Sequence, residues 1–76
     1  MPTLKRFGSC RVAMYPREHL PPHFHVVMND GRQCLIVIES MTVLVGAVPT
    51  RELREAIAWA RANTAALMAT WRDSNP

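Results

Sequence analysis

The sequence predicts an α+β fold, a four-stranded antiparallel β-meander followed by one long C-terminal amphipathic helix packed on one sheet face. Three observations carry this. The first half of the chain alternates apolar and polar residues with period two, and the second half changes to a helical period. Gly8, Pro16, Pro21-Pro22, Asn29-Asp30-Gly31, Gly46 and Pro49 cut the first half into short pieces. Such short pieces leave no room for the crossovers of about a dozen residues that parallel pairing needs.

Residues 9–15 read as the first strand, with Cys10, Val12 and Met14 alternating with Ser9, Arg11 and Ala13. Pro16 lacks a backbone donor and ends it. Residues 17–22 form a loop stiffened by Pro21-Pro22, since each proline keeps the residue before it out of the helical region. Residues 23–28 and 33–39 form a hairpin around Asn29-Asp30-Gly31. Two registers compete and differ by one residue. A three-residue loop with Gly31 left-handed sets Phe24 and Val26 opposite Ile36 and Cys34, leaving His23, His25 and Val27 on the other face near Val37 and Leu35. A two-residue loop would push His25 against Ile36, so the first register is preferred. Residues 42–46 are the fourth strand. From Thr50 to about Trp71, the positions Leu53, Ile57, Ala60, Thr64, Leu67 and Trp71 form one helical stripe, widened by Met68. Thr50 is positioned to cap this helix, and Glu52, Glu55 and Arg72 suit its dipole. At about 33 Å it is longer than any strand and overhangs the sheet. Val27, Leu35 and Val37 then lack a cover, unless residues 1–8 supply one, and such a face predicts a homodimer or a partner complex.

Seventy-six residues suit a single domain spanning 1–76. A domain this small has a small core, so a metal, a disulfide or a partner subunit would assist it. Cys10 and Cys34 are too few for a disulfide framework and read as buried thiols. The amino terminus carries Lys5 and Arg6 without an apolar run behind them, unlike a secretory signal. No stretch approaches the roughly 18 apolar residues of a membrane span. A cytoplasmic location and no membrane partner are therefore expected. The net charge is +3, and eight of the nine basic residues are arginine, which permits nucleic-acid or anion binding without demanding it.

The polar chemistry concentrates in residues 15–26, which hold all three histidines. His23 and His25 lie two apart on a strand and so share a face, about 6 to 7 Å apart. His19 precedes them in the proline-stiffened loop and can fold back over them, with Tyr15, Arg17 and Glu18 nearby. Three readings stay open. His19, His23 and His25 could ligate a transition metal such as zinc, although their spacing matches no strong zinc signature and no cofactor is required by the sequence. They could act as catalytic base and acid in phosphodiester cleavage, with Arg11, Arg17 or Arg32 holding phosphate. They could also be half-buried residues bonded to backbone or to Glu18. On the helix, Arg54 and Arg61 share a side and with Arg51 could line a phosphate strip, while Arg51 and Glu55 suit a surface pair. Trp71 belongs to the core stripe, and Trp59 lies off its centre.

Met14-Tyr15 followed by Glu18-His19-Leu20-Pro21-Pro22-His23-Phe24-His25-Val26 resembles the hallmark of a small bacterial family, domain of unknown function 4160. The Met1-Pro2-Thr3 start, Ile38-Glu39, Val43-Leu44 before Gly46, and the helix with Trp59 and Trp71 resemble it as well. The resemblance implies no established activity. It implies a gene next to another small protein and a toxin–antitoxin-like pairing, hence an interaction module bound to a partner, with nucleic-acid association allowed, and it assigns no residue a catalytic role. Val27 and Val37 stand where such proteins often carry polar or acidic residues. A histidine- or metal-dependent hydrolase or nuclease acting on phosphodiesters is the alternative.

Overall fold

The computed structural model describes residues 3–75. The elements in chain order are β1 (Thr3–Arg6), β2 (Cys10–Ala13), β3 (His23–Met28), β4 (Gln33–Val37), β5 (Val43–Val45), α1 (Thr50–Ala62) and α2 (Thr64–Ser74). Each strand pairs antiparallel with its sequence neighbour, giving the sheet order β1-β2-β3-β4-β5. The α+β meander matches the expectation. Its details do not, since five strands replace four and two helices replace one.

The additional strand is Thr3–Arg6, in the segment read as a loop available to cover the second sheet face. It pairs instead along the outer edge of β2, with a register shift between Thr3 and Lys5. Two charges in four residues hide the alternation that marks a strand, and neighbouring backbone supplies what the side chains do not. Leu4 and Phe7 pack against the core.

The β3–β4 hairpin has the preferred register. His23 faces Val37, Phe24 faces Ile36, and Val26 faces Cys34. Gly31 has φ +95°, a left-handed conformation that glycine tolerates. The Met28 amide donates to Arg32 O at 2.7 Å and closes the loop. This register sends Phe24, Val26, Met28, Cys34 and Ile36 into the core with Cys10 and Val12 of β2. Leu53, Ala56, Ala60, Leu67 and Trp71 of the helices complete that core. Burying a side chain such as Phe24 or Ile36 contributes about 1.5–3 kcal/mol, so pattern and register reinforce one another. Val27, Leu35 and Val37 on the second face are half-buried.

The apolar stripe does run from Leu53 to Trp71, but the helix breaks at Asn63, whose backbone leaves the helical region at φ −127°, ψ 26°. Asn63 Nδ2 donates to Trp59 O, and Thr64 Oγ1 donates to Ala60 O. Such short polar side chains compete for backbone carbonyls and interrupt helices. The proposed Thr50 cap is not formed. Pro49 occupies the cap position with no side-chain bond, and Thr50 is already the first helical residue. Cys10 and Cys34 are free and buried, and burial pushes both thiols up. Among the described residues no helix is long and apolar enough to cross a membrane.

Candidate functional site

The corner between β2 and β3 gathers the histidine chemistry. β3 begins at His23, so its pleat sets His23 and His25 on one side, with ring centroids 5.5 Å apart. The loop before it brings Glu18 between them. Arg17, with φ +61°, turns the chain left-handed just before Glu18. The Leu20–Pro21 peptide bond is cis. The Glu18 amide donates to Asn75 Oδ1 at 2.7 Å, so the end of α2 pins the loop.

The two histidines have different surroundings. His23 is 3% exposed, with its ring centroid 5.1 Å from that of Trp71. The expectation that both rings stand clear of the helix layer holds only in part, because the last turn of α2 closes on His23. His23 Nδ1 lies 2.8 Å from Pro21 O, which can only accept, so Nδ1 carries the proton and donates. When the ring is neutral, Nε2 bears a lone pair. It is buried, has no hydrogen-bond partner, and lies 3.6 Å from Glu18 Oε2. His25 is half-buried. Its Nε2 is hydrogen-bonded to Glu18 Oε1, its Nδ1 is 3.4 Å from Gln33 Oε1, and the Tyr15 ring meets it edge-on with centroids 4.7 Å apart.

His19, placed over the pair by the spacing argument, is exposed and stands outside this cluster. Glu18 takes its place. Among the described residues, the group able to hold a metal ion is Glu18, His23 and His25, one ligand atom from each lying within 4.8 Å of the others. A cleft of about 780 Å³ opens beside it, lined by residues including Arg17, Glu18, Leu20 and Trp71. Of the arginines considered for phosphate, Arg17 lines this cleft. Arg11 donates to Thr3 Oγ1. Arg32 is held by Asp30 and Glu52.

Arg54 and Arg61 are exposed and line one shallow groove with Thr50 and Ile57. Glu52 bonds Arg32 across to the hairpin. A further surface was not singled out in the sequence. β5 is exposed throughout, at 42% for Val43, 47% for Leu44 and 57% for Val45. It forms one sheet edge with no charged residue, whereas the β1 edge carries Lys5 and Arg6. Trp71, Gln33 and Asn75 also escaped notice as parts of the corner. Asn75 is 57 residues from Glu18, and no local signal links them.

A family model described as a domain of unknown function (DUF4160) matches residues 10–72. No curated protein and no solved structure matches the chain.

Proposed function

The chain belongs to the DUF4160 family, and on that premise we propose that it is a small interaction module that docks a partner chain along β5. The supporting observation is the bare apolar edge, Val43–Val45, with every residue exposed. An uncharged edge strand presents unpaired N–H and C=O groups and is a ready template for another strand. The opposite edge, with Lys5 and Arg6, has the charges that discourage such pairing. The partner we favour is the small protein encoded beside it, as in a two-gene, toxin–antitoxin-like system of the cytoplasm. A homodimer through the same edge is the other form of this reading. Co-expression with that neighbour tests it. The neighbour should co-purify with the wild type, and Leu44→Lys should lose both it and any dimer seen by light scattering. A monomer that retains no neighbour, or a Leu44→Lys variant that binds as the wild type does, contradicts the reading.

A second reading, hydrolysis of phosphodiesters, is favoured by the Glu18–His25 hydrogen bond, because a carboxylate that orients an imidazole is the arrangement a general base uses. Arg17 on the same cleft and the Arg54–Arg61 groove support a nucleic-acid substrate. RNA cleavage unchanged in a His25→Asn variant would exclude it.

A further inference from the structure

With both imidazoles neutral, the hydrogen bonds of the corner do not balance. Four ring nitrogens face four oxygens: His23 Nδ1 faces Pro21 O, His25 Nδ1 faces Gln33 Oε1, and the two Nε2 atoms face the two oxygens of Glu18. Two neutral imidazoles supply two N–H groups, and the oxygens of a carboxylate and a peptide only accept. Turning the Gln33 amide so that its NH₂ donates to His25 Nδ1 would remove one shortfall. The other remains, because Pro21 O fixes the His23 proton on Nδ1 and leaves Nε2 buried and without a partner, directed at a carboxylate oxygen. Buried polar groups are nearly always satisfied, and an orphan of this kind needs an explanation.

We propose that Glu18, His23 and His25 bind one divalent transition-metal ion through a Glu18 carboxylate oxygen and the Nε2 atoms of both histidines. The ion accepts the lone pairs that now face one another. Each Nδ1–H is then free to donate, one to Pro21 O and one to Gln33 Oε1. Ligating histidines commonly donate their second nitrogen to a carbonyl in this way, which fixes tautomer and ring orientation. Metal bonds of about 2.0–2.2 Å need donor atoms roughly 3 to 3.5 Å apart. The His23–Glu18 separation of 3.6 Å and the 4.8 Å limit of the cluster are within a small rearrangement of that.

The donor set selects the class of ion. Two imidazoles and one carboxylate suit zinc, cobalt, nickel or ferrous iron, whereas magnesium and calcium prefer all-oxygen sites. The thiols belong to the core cluster, not to this corner. Three protein ligands leave at least one position open, the form of a reactive site more than of a closed structural one. Glu18 lines the cleft, which gives the open position a route to solvent. This site is independent of partner docking at β5, and its binding is measured without any catalytic assay.

The test uses the full chain without a histidine tag, stripped with a chelator and titrated with zinc by calorimetry. Cobalt is then titrated into a Trp59→Phe variant, in which Trp71 beside His23 is the only tryptophan. Wild type should saturate at one zinc per chain, and cobalt should quench Trp71 at the same stoichiometry. Glu18→Gln and His25→Asn, both at partly open positions, should each weaken binding at least about tenfold. His19→Gln should bind as the wild type does. Absence of saturable zinc binding by the folded wild type overturns the proposal. So does a His19→Gln loss equal to that of Glu18→Gln, or unchanged affinity in both cluster variants.

Discussion

Two clusters in this chain join carboxylates to nitrogen bases, and they are built in opposite ways. At the hairpin, Arg32 Nε bonds Asp30 at 2.8 Å and Arg32 Nη2 bonds Glu52 at 2.7 Å. Every contact there has a donor and an acceptor. The Arg32 backbone amide, helped by its guanidinium, holds the Asp30 carboxyl below its ordinary range, the guanidinium does the same for Glu52, and the two carboxylates push the guanidinium up. At the corner, Glu18 meets two imidazoles in a half-buried setting where acceptors outnumber donors. The first cluster is complete as it stands and pins α1 to the hairpin. The second is incomplete, and incompleteness in a buried polar group marks where a ligand belongs.

The contrast can be broken most forcefully by an ion. Zinc at about 100 times its dissociation constant should add about 2.7 kcal/mol of stability, a rise in Tm of roughly 10 to 20 °C for a domain of this size. Thermal melts should show that rise in Glu52→Gln and lose it in Glu18→Gln. A rise that survives Glu18→Gln would place the ion elsewhere.

A smaller effect is expected from His23→Leu without metal. Removing an orphaned buried nitrogen offsets the loss of the Pro21 bond, so urea unfolding should shift by less than about 1 kcal/mol. A loss of several kcal/mol would mean that the ring is a satisfied core group. The hairpin cluster should show itself in acid. Asp30 and Glu52 have lowered values in the folded chain, so their contribution is present above their ordinary values and is lost as pH falls through the folded ones. Glu52→Gln should therefore flatten the acid limb of the stability profile, measured at low salt. The smallest effect belongs to Arg32→Gln in half-molar salt, where melts should match the wild type, because exposed pairs are screened.

The sequence carried much of this fold because side-chain period and register constrain each other. Phe24 and Val26 could not alternate with His23 and His25 in the other register without burying histidine against Ile36. Thr3–Arg6 was illegible because its strand depends on the edge of β2 and not on its own pattern. The break at Asn63 was hidden because the apolar stripe continues across it. In the site, the His23–His25 pair was legible from strand geometry. The exchange of His19 for Glu18 was not, since loop residues have no period to fix their direction. Their placement here depends on Asn75 at the end of α2.

The most direct test is a long-range ¹H–¹⁵N spectrum of the imidazoles recorded with and without one equivalent of zinc. Nε2 of His23 and of His25 should shift together, both Nδ1 atoms should carry protons in the zinc-bound form, and His19 should not move. Unmoved resonances for His23 and His25, or a shift confined to His19, would contradict it.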